Sequence, residues 1–291
     1  MSRTAVDLHL HSTASDGSAS PSDVARRADA VGLAACALTD HDTVEGVDEF
    51  LACQSQFPDM KLYTGVELSS RHNHRELHIV GLGLDHRSAP FCRFLDDMKG
   101  ERLRRAEMMA QRLADCGYGV GDDWRKHEVV GRMHFALLVM EKYDFPDCNS
   151  VFEKLLRHGA PAYVPRIVPS PGEVIERIHA AGGIAIWAHP VYERAGERHW
   201  ARKILRQLVS DGLDGIEAYY SRFSPTQTLM VENLAEEFGL LLSGGSDFHG
   251  SGHPGVEVGV GYGSLSVSAK LLEAIDRQIA LRRAEAVGIE S

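Results

Sequence analysis

The sequence predicts an α/β protein: a largely parallel sheet or barrel of seven strands, interrupted by an inserted helical segment. Three observations lead there. Short apolar runs recur at strand length with helically spaced stretches between them. This alternation breaks after Leu84 and resumes at Ser170. Several of the 15 histidines stand at or beside the ends of the apolar runs, where βα folds collect their ligands and catalytic groups.

The strand candidates are 6–10, 34–38, 62–68, 77–84, 184–188, 215–219 and 240–243. Between the first two, Ser20-Pro21-Ser22-Asp23 offers an N-cap followed by proline at the first helical position, and Gly32 stops the helix, giving one βαβ unit. Residues 98–166 read as helices only, introduced by the amphipathic run 91–116, with another helix opening at Gly131-Arg132-Met133-His134. Pro161, Pro165, Pro169 and Pro171 mark the return to strand and helix alternation. The predicted organisation is therefore a body formed by 1–97 and 167–291 and an inserted helical cap subdomain at 98–166. The insertion carries 12 Lys/Arg against 10 Asp/Glu, so a mildly basic cap is set into an acidic body. No internal repeat or low-complexity tract is apparent.

Composition narrows the functional classes. With 44% hydrophobic and 25% charged residues, and no uninterrupted apolar run of about 18 residues, the chain reads as a soluble globular protein without a membrane span. The N-terminus passes directly into polar residues and lacks the apolar core of a secretion signal, so a cytoplasmic location is expected. Cys36, Cys53, Cys92, Cys116 and Cys148 are scattered singly, which suits reduced thiols. A net charge of −10 argues against sequence-independent adhesion to duplex nucleic acid, leaving a small anionic substrate as the expected partner.

The first strand ends in His9-Leu10-His11, and residues two apart on a strand point the same way and can chelate one ion. Taken alone, such a pair is as well explained by packing, and Asp16 in the following loop by an Asx turn. The pattern then repeats at other strand ends: His41 after the second, Glu67 in the third, His78 in the fourth, His189 after the fifth, and Asp247 with His249 after the seventh. Six imidazoles and three carboxylates exceed the three or four protein ligands of one zinc-like ion and suit two or three ions with a bridging carboxylate. A mixed nitrogen and oxygen set without thiolate favours Mn²⁺, Fe²⁺ or Zn²⁺ over Ca²⁺ or Cu⁺.

The ordered pattern HxH…D…TDHD…E…H…HP…DxH resembles the polymerase and histidinol phosphatase (PHP) family. It includes Asp7-Leu8-His9-Leu10-His11-Ser12, Ala37-Leu38-Thr39-Asp40-His41-Asp42-Thr43 and Gly245-Ser246-Asp247-Phe248-His249. The basic insertion followed by Gly159-Ala160-Pro161-Ala162-Tyr163-Val164-Pro165 is most similar to the 3′,5′-nucleoside bisphosphate phosphatases of that family. The resemblance implies a distorted (β/α)₇ barrel of the amidohydrolase-like kind with a trinuclear metal site. It implies that His9, His11, Glu67 and Asp247 hold a first ion, Asp16, His41 and His249 a second, and Glu67, His78 and His189 a third. Two or three divalent ions are expected, manganese foremost, with Zn²⁺, Fe²⁺ or Mg²⁺ as alternatives.

Closely spaced divalent ions lower the pKa of a shared water towards about 7 and bind the nonbridging oxygens of a phosphate ester. The expected nucleophile is thus a metal-bridging hydroxide held by Glu67, Asp247 and His249, and no GxSxG elbow or activated cysteine signature competes with it. Ser12 and Ser246 read as supporting or turn residues, and Asp40 as a group orienting the His41 region. In the insertion Lys99, Arg102 and Arg105 share a helix face, and Arg132 and His134 stand at a helix start that favours phosphate. These five are the candidate substrate-binding residues, with Arg157 and Arg166 weaker, and a solvated charged face is the competing explanation. Tyr118, Trp124, Tyr163 and Tyr220 could stack on a base, although core packing is the default for each. His72, His74, His86, His127, His158, His179, His199 and His253 read as structural or exposed. The expected activity is removal of the 3′-phosphate from nucleotides such as adenosine 3′,5′-bisphosphate. The alternatives are a 5′→3′ exoribonuclease acting on short RNA and, in another class, a noncatalytic metal-binding module. Histidinol phosphate is the less favoured substrate.

Overall fold

The computed structural model describes residues 3–73, 75–126, 130–191 and 198–289. His74 and His127, among the histidines set aside above, lie outside the described residues. Two compact units emerge: 1–93 with 169–291, and 94–168.

The first unit begins with β1 (Ala5–Leu10), α1 (Pro21–Ala30), β2 (Ala35–Leu38), α2 (Val47–Ala52) and β3 (Lys61–Tyr63), followed by β4 (Gly65–His72) and β5 (Arg75–Leu82). Helix α3 (Ala89–Asp115) contains the boundary with the second unit, where α4 (Arg132–Lys142) and the short α5 (Cys148–Val151) follow. The first unit resumes with α6 (Pro171–Ala180), β6 (Ile184–Trp187), α7 (Arg198–Ser210), β7 (Gly215–Tyr220), α8 (Pro225–Phe238), β8 (Leu241–Gly245), β9 (Val267–Ser268) and α9 (Leu272–Ile289). The Ser-Pro start read at α1 recurs twice: Ser20, Ser170 and Ser224 each accept a hydrogen bond on the hydroxyl from the amide three residues on, with proline next in line.

The sheet is more mixed than the repeating pattern suggests. Strand order is β3-β2-β1-β9 in one sheet and β4-β5-β6-β7-β8 in the other. The expected strand 62–68 divides at Thr64 between the two sheets, and β4, β5 and β6 pair antiparallel. For β4 and β5 the physical reason is chain length, because a parallel crossover needs a dozen or more residues and only eight separate 68 from 77. The short β9, antiparallel to β1, was not foreseen. Among the described residues the sheets do not close into one continuous ladder. They approach at two isolated bridges, Leu10 with Phe248 and His41 with Glu67. Both bridges lie at the site.

Alternation along β1 sends Val6 and Leu8 into the buried core shared with Ala35, Val80, Ile184 and Ile186, while Asp7 and His9 take the opposite parity. The second unit has a core of its own around Met109, Leu113, Trp124, Phe135, Val139 and Leu155. Burying each such side chain contributes roughly 1.5–3 kcal/mol relative to exposure.

Candidate metal centre

The strand ends bring all nine sequence-selected ligand candidates to neighbouring positions. His9 Nε2 lies 3.2 Å from Glu67 Oε2 and 3.6 Å from Asp247 Oδ1, and His11 Nε2 lies 3.2 Å from each of the same two oxygens. Glu67 is the hub. Its Oε2 also faces His41 Nδ1 at 3.0 Å, and its Oε1 faces His78 Nδ1 and His189 Nε2, each at 2.9 Å. Asp16, reached through the loop after β1, lies 3.3 Å from His249 Nε2, 3.8 Å from His41 Nε2 and 3.9 Å from His11 Nδ1.

Ligand atoms within 4.8 Å of one another form the groups His9, His11, Glu67 and Asp247, then His11, Asp16, His41 and His249, then His41, Glu67 and His78. These differ from the implied ion sets at two points. His11 also joins the Asp16 group, and His41 rather than His189 completes the group with Glu67 and His78.

The donor set fits divalent cations on a specific observation. His9 Nε2, both ring nitrogens of His11, Glu67 Oε2 and His78 Nδ1 are buried without a hydrogen bond, although opposite charges stand about 3 Å away. Buried polar atoms are ordinarily hydrogen-bonded. Here the lone pairs converge without aiming at one another, which is the arrangement a shared cation requires.

The backbone is bent to the same purpose. Of four non-glycine residues with positive φ among the described residues, three are Asp42 (54°), His189 (29°) and Asp247 (57°), all just past strand ends at the cluster. Such conformations persist where the surroundings over-determine them, characteristically at functional sites. Gly245 in β8 permits the close approach beneath them: a Cβ there would stand 2.4 Å from His9 Cβ and 2.5 Å from its amide nitrogen.

Several supporting residues escaped the sequence reading. Glu217 on β7 accepts from His9 Nδ1 at 3.0 Å with Oε1 and from the His189 amide at 2.7 Å with Oε2, turning His9 Nε2 towards the cluster. Tyr220, considered above as a base-stacking residue, is buried and donates its hydroxyl to Asp247 Oδ2 at 2.9 Å. Asp40 supports the Asp16 loop and not His41, accepting from the Ser12 amide at 2.8 Å and its hydroxyl at 2.7 Å. Asp42 holds β4 in register two residues beyond Glu67, accepting from the Ser69 amide at 2.7 Å. His253, set aside as structural or exposed, is half-buried with its ring centroid 4.2 Å from that of His249. In sequence, Asp40 and Asp42 flank His41 in the TDHD motif, and Glu217 is an acidic residue inside an apolar strand (Gly215-Ile216-Glu217-Ala218).

Charges and protons are shared across the cluster. Burial opposes ionisation of Glu67, but His41, His78 and His9 hold its carboxyl well below the usual range, and Asp247 is lowered in the same way by His11, His9 and His249. Burial also opposes a charged His11, yet Asp247 and Glu67 outweigh it and push the imidazole up to about 10. Burial drives His41 down to about 3, the neutral form that ligation needs.

The substrate-binding candidates all lie in the second unit, those on α3 included. Lys99 is exposed and Arg102 half-buried on α3, and Arg105 Nε donates to the Val164 carbonyl at 2.9 Å. Arg132 begins α4 as expected, its guanidinium 5.7 Å from the Phe152 ring and 5.9 Å from that of Tyr163. His134 Nδ1 accepts from the Gly131 amide at 3.0 Å, which makes it the cap of that helix. Trp124 belongs to the core against Phe135, and Tyr118 packs on Tyr143 and Phe145.

A mixed α/β fold whose strand ends gather imidazoles and carboxylates around one central glutamate defines a metal-dependent hydrolase. The chain belongs to the PHP domain family, whose model matches residues 7–187, and it is a metal-dependent phosphoesterase of that family. It is 37% identical to a 5′-3′ exoribonuclease of Haemophilus influenzae, with 84% of this chain and 89% of the relative covered. It is 34% identical to a 3′,5′-nucleoside bisphosphate phosphatase of Chromobacterium violaceum, covering 87% and 90%. Among solved structures, an amidohydrolase from Chromobacterium violaceum superposes with a TM-score of 0.77 at 32% identity, over 95% of this chain and 96% of that one. A candidate metal-dependent phosphoesterase from Bifidobacterium adolescentis superposes with a TM-score of 0.78 at 26% identity, over 94% and 96%.

Proposed function

We propose that the protein hydrolyses the 3′-phosphate of nucleoside 3′,5′-bisphosphates, converting adenosine 3′,5′-bisphosphate and water to AMP and inorganic phosphate. The observation that carries the hydrolytic reading is the set of buried, convergent donors around Glu67 that lack hydrogen bonds. The 3′-phosphate assignment is supported by the Chromobacterium violaceum phosphatase, similar along most of both chains. In this reading His9, His11, Glu67 and Asp247 hold one cation, Asp16, His41 and His249 a second, and Glu67, His78 and His189 a third, with Mn²⁺ the first choice for all. Cations held there would supply a hydroxide nucleophile near neutral pH and would neutralise charge on the phosphoryl oxygens.

The chain's own residues set the geometry. Glu217 fixes the His9 ring through Nδ1, and Tyr220, its phenol held protonated by burial and by the nearby Asp247 and Glu217, keeps donating to Asp247. Ser12 donates its hydroxyl to Asp40 and so supports the loop after β1. Lys99, Arg102, Arg105, Arg132 and His134 are assigned the phosphate that is not attacked, and the charge of the lysine and the three arginines provides a preference for substrates with two phosphates.

The second reading, 5′→3′ hydrolysis of short RNA, is favoured by the 37% identity to the Haemophilus influenzae exoribonuclease. The same cluster can expel a sugar alkoxide or a nucleotide. Purified protein with Mn²⁺ is compared on adenosine 3′,5′-bisphosphate and on a 5′-phosphorylated oligoribonucleotide of a few residues. The proposal expects higher kcat/KM on the bisphosphate. Mononucleotide release from RNA with no phosphate released from the bisphosphate overturns it in favour of the exonuclease.

A further inference from the structure

Of the four aromatic residues that could stack on a base, Tyr163 is the one whose ring the packing does not enclose. Trp124 is closed into the core of the second unit, and Tyr220 is buried with its hydroxyl on Asp247. Tyr118 packs on Tyr143 and Phe145, with the Lys154 ammonium 4.9 Å from its ring centroid. Tyr163 is half-exposed between two buried neighbours, Ala162 and Val164. Both neighbours belong to the core of the second unit, so the segment is anchored on either side and the ring between them is turned outward.

The backbone beneath the ring is clamped from α3. Arg105 Nε donates to the Val164 carbonyl at 2.9 Å, and Arg112 Nη1, two helical turns further on, donates to the carbonyl of Tyr163 itself. The amides of Ala162 and Tyr163 donate to the carbonyls of Leu155 and Ala160, each at 3.0 Å. A ring held in place before binding loses little freedom when a ligand settles on it. Two further groups stand beside it. The exposed His158 has its ring centroid 5.1 Å from that of Tyr163, and the Arg132 guanidinium lies 5.9 Å from the Tyr163 centroid. Arg132 is the first residue of α4, so a cation and a helix N-terminus lie next to the aromatic face. These are surroundings that suit an anion carrying a flat π-system. All of these residues belong to the second unit.

We propose that the Tyr163 ring, flanked by Arg132 and His158, is the platform on which the base of the nucleotide substrate stacks. Stacking tolerates any base, because every base has a π-face, and it contributes nothing to a phosphorylated sugar that lacks one. The platform therefore favours nucleotides over sugar phosphates and leaves the identity of the base unspecified. The inference rests on the reading that the substrate is a nucleotide.

The test is calorimetric titration of the Mn²⁺-loaded full chain with AMP and with methyl ribofuranoside 5-phosphate, in which a methoxy group replaces the base. Neither compound carries the 3′-phosphate that the proposed reaction removes. The wild type should bind AMP about 5- to 100-fold more tightly, the range that one base–aromatic stack supplies. Tyr163→Phe, which keeps the ring, should keep that ratio. Tyr163→Leu, apolar but without a π-face, should bring the ratio close to one and leave the affinity for methyl ribofuranoside 5-phosphate unchanged. An undiminished ratio in Tyr163→Leu, equal affinity of the wild type for the two compounds, or an equal loss for both compounds in Tyr163→Leu overturns the platform. Phosphate release from adenosine 3′,5′-bisphosphate is followed on the same wild-type sample. A base preference in binding without phosphate release overturns the phosphatase reading and leaves the platform standing.

Discussion

Glu217 gives the clearest residue-scale expectation, because it touches two proposed ligands and none of the cations. Its two oxygens hold the His9 ring and the His189 amide. Glu217→Ala should therefore weaken metal affinity about 10- to 100-fold, the usual cost of removing a partner that orients a ligand, while the fold survives, as circular dichroism would register. Undiminished affinity in a metal titration would show that His9 needs no such support. Proton competition gives a second expectation at this scale. His9 and His78 are raised and His11 stands at about 10 in the ion-free chain, so protons occupy the positions cations would take. Cation binding should release protons, and apparent affinity should strengthen as pH rises from the ordinary histidine value of 6.5 towards about 10. The matching contribution to metal-free stability is present below 6.5 and lost as pH rises through the folded values. Calorimetry in buffers of different ionisation enthalpy would count the protons, and a count of zero would contradict this electrostatic account. The clustered ligand candidates were legible in the sequence where HxH, TDHD and DxH stand at strand ends. Glu217 was not, since one acidic residue in an apolar strand does not show which side of the sheet faces the cluster.

At the scale of elements, Asp214 ties helices to strands at a point removed from the cluster. Its Oδ2 accepts from His179 of α6 at 2.7 Å and from the Ala185 amide of β6 at 2.8 Å, and its Oδ1 accepts from Gln278 and Arg282 of α9 at 2.9 and 2.7 Å. His179 thereby has a structural role. Burial opposes the charged carboxylate, but His179, the Ala185 amide and Arg282 hold its pKa below the ordinary aspartate value of 3.8. A depressed acid contributes stability above its unfolded value and loses it as pH falls through the folded one. Asp214→Asn should thus cost about 3 kcal/mol at neutral pH, and the gap to wild type should narrow as pH drops below 3.8. Denaturant unfolding at several pH values measures this, and a pH-independent gap would contradict the assigned ionisation. Strand direction was the part of the fold that sequence pattern missed. Apolar runs read alike in parallel and antiparallel strands, and only the short connection between 68 and 77 betrayed the β4–β5 pairing. The helix starts were easier because Ser-Pro carries its own capping mechanism.

At the scale of the whole molecule, residues 94–168 have a core of their own and carry the residues proposed to bind phosphate. If Arg102 and Arg132 serve the phosphate that is not attacked, replacing either with alanine should reduce kcat/KM for adenosine 3′,5′-bisphosphate about ten- to a hundred-fold, the equivalent of roughly 1.5–3 kcal/mol for a charge-assisted hydrogen bond. Turnover of a nucleotide carrying only the 3′-phosphate should change far less. Equal losses on both substrates would make the second unit a structural support and not a recognition element. The break in alternation after Leu84 made this unit visible in sequence, whereas the partners of its basic residues, such as Arg105 on the Val164 carbonyl, depend on packing that local pattern does not encode.

The central claim is that cations gathered around Glu67 perform the hydrolysis, and one measurement bears on it most directly. Phosphate release from adenosine 3′,5′-bisphosphate is followed with chelator-stripped protein before and after addition of Mn²⁺, for the wild type and for Glu67→Gln, with bound metal determined on the same samples. The account predicts no turnover without metal, recovery of the wild type with two or three equivalents bound, and both low metal content and no recovery for Glu67→Gln, whose loss removes the carboxylate facing five imidazoles. Persistent activity in the stripped protein, or full activity in Glu67→Gln, would contradict it.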